Sequence, residues 1–324
     1  KRACSVDLTA RATEYARFNE ALNDCENIKV LQGDLYEPVR NQTFDCIVAH
    51  PPYVPSVSVD TYWRDGGAIG DIFIKRIVEE MPTYLRAGGY ALILAQGVDT
   101  REGRFEERAR RWLGEREHEF DIIFASEKER GPQRVLELLG KDSTDDVIER
   151  LREAFAAADV VSMPYGALFL RRAKRSKHER SWTIRAKLSS ETSGADFHST
   201  FALHDRVSAP DFAAELARIT PRLAPRLEVQ VTHVVHEGSL APAEYIFIAN
   251  RPFAKRVRMD DWAIGLFMRF DGQSTVAQIY EAARDDSEMP VEFDLNEFIL
   301  LVTRSLEAGF LVLSDSDCRV SWTC

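Results

Sequence analysis

The chain of 324 residues has few cysteines, no long apolar run and no excess of positive charge. Its five cysteines form neither a CxxC pair nor a group with histidines, which argues against structural zinc and a disulfide framework. No apolar stretch approaches the roughly 20 residues of a membrane helix, and no signal-peptide pattern is present. A net charge of −10 disfavours a broad nucleic-acid or anionic-membrane surface. These absences predict a soluble, cytoplasmic protein without a metal site.

The stretch from Phe44 to Pro55, FDCIVAHPPYVP, is the most informative one present. Its apolar first half, Phe44 to Ala49, predicts a strand buried on both faces. Pro51 and Pro52 cannot donate to a sheet ladder, so the strand should end in a rigid loop with outward-pointing carbonyls. In an open α/β sheet, ligands bind at this carboxyl end of the strands.

Strands and helices alternate around this loop, as in a parallel sheet covered by helices. The predicted order is strand Ala3 to Asp7, helix Thr9 to Leu22 with Ala12, Tyr15, Ala16 and Leu22 inward, strand Ile28 to Leu31, strand Phe44 to Ala49, helix Asp71 to Leu85, strand Tyr90 to Ala95, helix Glu102 to Leu113, strand Glu119 to Ala125, helix Asp145 to Ala158 and strand Gly166 to Leu170. The basic stretch Arg171 to Arg180 follows, either as a solvated linker or as a basic rim of the cleft. We therefore expect an α/β domain in residues 1–178.

Several short motifs occur along this pattern: an acid after a strand (Asp7), GDLYEP, HPPY followed by RDGG, and LRAGG. Together they resemble the class I S-adenosylmethionine-dependent methyltransferases, particularly the release-factor glutamine methyltransferases and their small-domain relatives. The resemblance covers roughly residues 3 to 172. It implies a Rossmann-like doubly wound methyltransferase sheet, S-adenosyl-L-methionine as cofactor, and an amide or amino nitrogen of a protein, peptide or planar substrate as methyl acceptor.

The resemblance also implies cofactor-binding residues. Asp7 would accept hydrogen bonds from the ribose hydroxyls, and Asp34 would accept one from the adenine amino group, with the Leu35 backbone nearby. From the residues alone, the alternatives are that Asp7 is an acid at a helix N-terminus and Asp34 an ordinary turn aspartate.

His50 departs from the family pattern, in which Asn, Asp or Ser precedes the two prolines. By resemblance, this side chain and the Pro51 carbonyl accept the two hydrogens of a substrate NH2 group. A neutral imidazole offers a single acceptor and can also take a proton, so His50 either aligns a nitrogen or acts as a base. Tyr53 would stack on a planar group or simply pack. We assign His50, Pro51 and Tyr53 to catalysis, and His50 also to the cofactor side.

No strand and glycine-rich turn precede Asp7, although such a first strand stands in the middle of a class I methyltransferase sheet. A sheet without it exposes unpaired edges. We therefore expect the chain to be N-terminally incomplete and the sheet to be interrupted between the strands of Asp7 and Phe44.

Two further regions follow the predicted methyltransferase domain. Residues 179–250 predict an α+β connecting segment with strands Leu227 to Val235 and Glu244 to Ala249. Residues 251–324 predict three helices, the second capped by Ser274 or Thr275 and the third by Asp294, and a hairpin of Phe310 to Leu313 with Arg319 to Trp322. This module resembles a winged helix, similar to small peptide-binding modules of peptide-modification pathways (FDGQST, LEAGFL).

The winged-helix-like module has eight basic and thirteen acidic residues. A DNA-binding module carries the opposite balance, so the composition favours a protein-binding, substrate-presenting or homodimerising role over nucleic-acid binding. For the whole chain, the leading hypothesis is methyl transfer to an amide or amino nitrogen. A small-molecule O- or N-methyltransferase and a non-catalytic binding protein that retains the fold are the alternatives.

Overall fold

The computed structural model describes residues 1–58, 60–175, 180–236, 238–287, 289–290 and 293–313. The chain divides into two compact units, Lys1–Arg185 (unit 1) and Ala186–Cys324 (unit 2). The three-domain division expected from the sequence stays a prediction, and residues from both of its C-terminal parts pack into one core of unit 2. No helix among the described residues has the length and apolar character needed to span a bilayer.

Unit 1 is a mixed α/β structure. Its elements are β1 (Ala3–Asp7), α1 (Ala10–Leu22), β2 (Ile28–Gln32), β3 (Phe44–Ala49), α2 (Ile72–Tyr84), β4 (Leu85–Gln96), β5 (Asp99–Thr100), α3 (Phe105–Trp112), β6 (Phe120–Arg130), α4 (Pro132–Leu139), α5 (Asp145–Ala157), β7 (Val160–Arg172) and β8 (Thr183–Lys187), whose last two residues fall in unit 2.

The sheet of unit 1 is in two parts. β1 and β2 form a parallel pair, and the larger part has the strand order β3–β4–β7–β6–β8. β3 and β4 are parallel, whereas β7 is antiparallel to both β4 and β6. Within the described residues, β1 pairs with β2 alone and β3 with β4 alone, so the expected interruption of the sheet is confirmed. The expectation of an N-terminally incomplete chain stays a prediction.

One hydrophobic core joins the two parts of the sheet. The buried residues of α2 recur at three- and four-residue spacings, as expected for a helix packed on a sheet, and are Ile74, Ile77, Val78 and Met81. Val6 of β1, Leu31 of β2 and Ile47 of β3 are partly buried against the same core. The carboxyl ends of these three strands therefore belong to one packed structure.

Two predicted burial patterns in unit 1 are wrong. β3 is an edge strand whose Val48 is 71% exposed, so it is not buried on both faces. On α1, Tyr15 and Leu22 are 58% and 67% exposed, and the only buried residue of that helix is Thr13. An apolar pattern implies burial only when another element covers it, and the described part of the chain provides none here.

Three arginines at the end of unit 1 pair with acids instead of extending into solvent. Arg171 and Arg175 both contact Asp121, and Arg172 contacts Glu119. The three arginine side chains are only 10% to 12% exposed. For these three arginines, neither the solvated linker nor the basic rim expected from the composition is correct, whereas Lys174 and Arg180 of the same stretch are exposed.

Arg185 closes unit 1 through a second cluster of charges. Its guanidinium donates to Asp99 at 2.6 and 2.7 Å and to Glu106 at 2.6 Å. Burial by itself raises the pKa of Asp99, but hydrogen bonds from Arg185, Ser162 and Phe105 outweigh it and hold the pKa below its ordinary value. Both carboxylates are buried, so this arginine compensates charges that water does not reach.

Unit 2 combines helices with a three-stranded antiparallel sheet. Its elements after β8 are α6 (Gly194–Val207), α7 (Phe212–Leu216), β9 (Arg222–Leu223), β10 (Glu228–His236), β11 (Ser239–Ala249), β12 (Lys255–Met259), α8 (Asp261–Met268), α9 (Val276–Asp285), α10 (Leu295–Ala308) and β13 (Leu311–Val312). The sheet order is β10–β11–β12.

The caps of the last helices agree with the sequence. Thr275 accepts from the Gln278 amide and Asp294 from the Glu297 amide, so both helices begin with capping boxes. Gly309 ends α10 with φ of 76°. β13 pairs with β9. The predicted second strand of the hairpin, Arg319 to Trp322, lies outside the described residues, so the hairpin stays a prediction.

Candidate active site

The predicted loop after β3 begins where expected. β3 ends at Ala49, the His50 side chain is exposed, Pro51 is buried and Tyr53 is half-buried. The prolines end the strand because neither can donate a backbone hydrogen bond. The imidazole therefore lies at the surface at the carboxyl end of a strand. We call the described residues of the range 50–70 the proline corner.

The RDGG turn holds the proline corner through its backbone. Val54 donates to the Arg64 carbonyl at 2.9 Å, and Gly66 donates to the Val54 carbonyl at 2.8 Å. A Cβ at Gly66 would lie 2.8 Å from the Tyr53 Cα, and one at Gly70 would lie 2.3 Å from the Tyr53 carbonyl oxygen. Gly70 also has φ of 87°. Glycine is therefore needed at both positions for the two segments to approach this closely.

Asp65 of the same turn is a buried side chain that the sequence analysis did not single out. Its carboxylate is 4% exposed and accepts a hydrogen bond from the Thr61 amide at 2.8 Å. Arg64 lies 3.5 Å from the other oxygen. The position within RDGG was visible in the sequence, but only the structure shows that the acid braces the turn.

Aromatic side chains line the proline corner. The rings of His50 and Tyr53 lie 5.6 Å apart, and those of Tyr53 and Tyr165 lie 5.7 Å apart. Burial raises the pKa of the Tyr53 hydroxyl, and the charge and hydrogen bond of Tyr165 raise it further. Tyr165 belongs to β7, and no signal in the sequence connected it to the loop.

The predicted cofactor residues lie at the ends of β1 and β2. Asp7 is exposed, and its Oδ1 accepts from the Thr9 amide at 3.0 Å and from the Thr9 hydroxyl at 3.2 Å. The Gly33 amide donates to the Asp7 carbonyl at 2.9 Å, which holds the two strand ends together. We call Asp7, Asp34 and Leu35 the carboxylate edge.

Asp34 has a partner that the sequence did not indicate. Arg76 of α2 donates to its carboxylate at 2.7 and 3.5 Å, and both side chains are about 40% exposed. Leu35 adopts φ of 46° and packs partly into the core of unit 1. Asp34 is therefore an ion-paired acid, and its contact with a nucleoside would compete with Arg76.

The structure thus arranges the predicted residues in two groups. His50, Pro51 and Tyr53 follow β3 at the edge of the larger sheet, whereas the carboxylate edge belongs to the β1–β2 pair. Leu35 and Tyr53 both pack against the core that the two parts of the sheet share.

Residues 1–108, one third of the chain, match the family model described as "Methyltransferase small domain". A Methanocaldococcus jannaschii protein whose name describes a protein N5-glutamine methyltransferase is 36% identical over 104 residues, 30% of this chain and 52% of that protein. The release factor glutamine methyltransferase of Thermodesulfovibrio yellowstonii is 31% identical over 104 residues, 28% of this chain and 37% of the relative.

The ribosomal protein uL3 glutamine methyltransferase of Bordetella pertussis is 27% identical over 137 residues, 39% of this chain and 46% of the relative. The chain thus spans about half the length of these relatives or less. A crystal structure of a Pyrococcus furiosus methyltransferase aligns with 53% of this chain and 63% of its own, at 17% identity and a TM-score of 0.31, too low to define the fold. The resemblance to glutamine-modifying methyltransferases is confirmed for the N-terminal segment.

Proposed function

We propose that unit 1 is an S-adenosylmethionine-dependent methyltransferase that methylates an amide nitrogen of a protein. The observation that carries this proposal is the exposed His50 imidazole at the start of the proline corner, inside the segment that matches methyltransferases. The named relatives act on a release factor and on ribosomal protein uL3. A protein of the translation apparatus is therefore the acceptor we favour.

In this proposal, His50 and the Pro51 carbonyl orient the acceptor. An amide NH2 group has two hydrogens, and a neutral imidazole nitrogen together with a backbone carbonyl provides two acceptors. Tyr53, fixed between His50 and Tyr165, gives the amide a flat surface. Holding the acceptor nitrogen in line with the methyl group accounts for a large part of the rate enhancement of methyl transfer. The reason is that the entropy of alignment is lost when the substrate binds rather than in the chemical step.

Asp7 and Leu35 are the residues of the carboxylate edge that fit a nucleoside best. Within the described residues, Asp7 Oδ2 accepts no hydrogen bond, so this exposed oxygen is available to ribose hydroxyls. S-adenosylmethionine would supply the methyl group from its sulfonium. Asp34 would join the site only by exchanging Arg76 for the adenine amino group.

The proposal is tested with His50→Asn, His50→Ala and a His118→Asn control in the full chain. We measure methyl incorporation into a release factor and into ribosomal protein uL3, and S-adenosylhomocysteine affinity by calorimetry. If His50 aligns a nitrogen, His50→Asn keeps its activity while His50→Ala loses about a hundredfold in kcat/KM, because alignment is lost. His118→Asn should behave as the parent. Absence of micromolar S-adenosylhomocysteine binding and of any methyl transfer would refute the proposal.

One observation favours a second candidate, a binding protein without turnover. Arg76 already occupies the Asp34 carboxylate, which the resemblance assigns to adenine. Such a protein would bind S-adenosylhomocysteine weakly, and Arg76→Gln would strengthen binding without producing methylated product.

For residues 251–324 we propose a winged-helix-like module that binds protein, in a cytoplasmic enzyme. The capped helices α9 and α10 and the excess of acidic residues support this assignment. Strong retention of the full chain on heparin at low salt, lost when this module is removed, would instead indicate nucleic-acid binding.

A further inference from the structure

β10, Glu228–His236, forms an open edge of the sheet in unit 2. It pairs with β11 on one side, and the strand order β10–β11–β12 leaves its other side without a partner among the described residues. All nine of its residues are exposed, the least exposed of its valines being Val229 and Val231 at 37% and 38%. The unpaired amides and carbonyls of such an edge are a template for another strand.

The usual protections of an edge strand are missing from β10. Proteins block exposed edges with lysine, proline or a bulge in the edge strand itself. β10 reads EVQVTHVVH and contains neither lysine nor proline. The sheet does have a bulge beside Thr232 and His233, but its additional residue, Ala243, lies in β11, as does Pro242. β10 therefore remains regular and able to pair along its full length.

Four valines make this edge apolar as well as open. Val229 and Val231 are 37% and 38% exposed, and Val234 and Val235 are 47% and 76% exposed. β-branched residues favour strands and pack well against the same residue type on a neighbouring strand. A partner strand that offers valines would therefore bury apolar surface that unit 2 leaves in water.

We propose that β10 pairs antiparallel with β10 of a second copy of this chain, centred on Thr232. A two-fold axis perpendicular to the sheet keeps each side chain on its own face, so only registers that join residues of the same face are allowed. The register centred on Thr232 pairs all nine residues. It sets Val229 opposite Val235 and Thr232 opposite its own copy.

Complementarity between a carboxylate and a ring that can donate a hydrogen bond selects this register. With Thr232 at the centre, Glu228, the only acid of β10, lies opposite His236 of the second copy at both ends of the ladder. A centre at Val231 would set Glu228 opposite Val234, and a centre at His233 would set two histidines against each other. Because this register sets Glu228 against His236 and Val229 against Val235 at both ends of the ladder, we take a second copy of this chain as the partner strand.

The first test is the association state of the full chain. We expect the parent to form dimers in sedimentation velocity experiments at micromolar concentrations, and Val231→Lys to raise the dissociation constant at least about tenfold, since a charge on an edge strand opposes pairing. Leu240→Lys is the matched control, because Leu240 is 72% exposed but lies on β11. A parent that stays monomeric up to high-micromolar concentration overturns the proposal, as does equal weakening by both substitutions.

The second test examines the register by exchanging charges. Glu228→Lys sets a lysine opposite His236, and His236→Glu sets two glutamates against each other, so each variant alone should dimerise at least about threefold more weakly. When the two variants are mixed, the introduced lysine faces the introduced glutamate at one end of the ladder, and His236 faces Glu228 at the other. A heterodimer that forms as tightly as the parent dimer supports the register centred on Thr232. Failure of the mixture to associate better than either variant overturns it.

Discussion

In the proline corner, backbone hydrogen bonds from Val54 and Gly66 and two glycines in close contact with Tyr53 determine the conformation. At the carboxylate edge, Asp7 is held by Thr9 and Asp34 by Arg76, with both carboxylates open to solvent. The corner is thus shaped before any ligand arrives, whereas the acids can exchange their present partners for a ligand. Alignment of an acceptor needs a corner that is already shaped, and reversible cofactor binding needs carboxylates that can exchange their partners.

Among the substitutions that test this difference between the proline corner and the carboxylate edge, Gly70→Ala is expected to have the largest effect. Its Cβ would approach the Tyr53 carbonyl oxygen to 2.3 Å, and its φ of 87° disfavours alanine, so the corner must deform. We expect the free energy of unfolding in urea to fall by about 3 kcal/mol or more, with loss of methyl transfer.

Gly114→Ala is the matched control for that experiment. Gly114 has φ of 61°, but an added Cβ meets no atom within 4 Å. For Gly114→Ala only the cost of placing alanine at a positive φ applies, so the free energy of unfolding should fall by about 1 kcal/mol. Equal losses for the two variants would mean that close approach to Tyr53 does not hold the corner.

An intermediate effect is expected from Asp7→Asn at the carboxylate edge. The amide keeps an acceptor for Thr9 but loses the charge that favours hydrogen bonds from two hydroxyls, so S-adenosylhomocysteine affinity in calorimetry should fall about tenfold. The unfolding free energy should change by less than about 0.5 kcal/mol, because the side chain is exposed. Asp45→Asn is the control, since Asp45 is also exposed and pairs with Arg86. Unchanged affinity in Asp7→Asn would remove Asp7 from the site.

The smallest effect is expected from Tyr53→Phe and concerns alkaline pH. The folded-state pKa of Tyr53 is raised, mainly by burial, so the folded protein favours the neutral hydroxyl. Stability from this difference is present below the unfolded-state pKa of about 10 and is lost as pH rises through the folded-state value. Urea titrations around and above about pH 10 should therefore show a shallower loss of stability in Tyr53→Phe than in the parent. Parallel pH profiles would contradict the raised pKa.

Local signals predicted local structure well. The side chains of Thr275 and Asp294 cap the starts of α9 and α10, and the positive φ of Gly309 ends α10. β3 stops at the expected residue, before Pro51 and Pro52. These outcomes depend on neighbours within a few positions, which a sequence displays directly.

Contacts between distant segments were not predictable in this way. Tyr165 reaches Tyr53 and Arg76 reaches Asp34 only because the sheet and α2 bring them together. The exposure of Val48 likewise depends on what lies beside β3, not on its own apolar run. Sequence patterns thus located the strand ends and the loop, while the partners that tune each side chain required the tertiary structure.

The position of Arg185 decides where unit 1 can be cut from the rest of the chain. A recombinant piece ending at residue 178, the boundary suggested by composition, would lack this arginine and leave Asp99 and Glu106 enclosed without a counter-ion. Such a truncated domain would have to protonate those acids or admit solvent, at a cost of several kcal/mol. Expression of the domain by itself should therefore extend through Lys187, the last residue of β8.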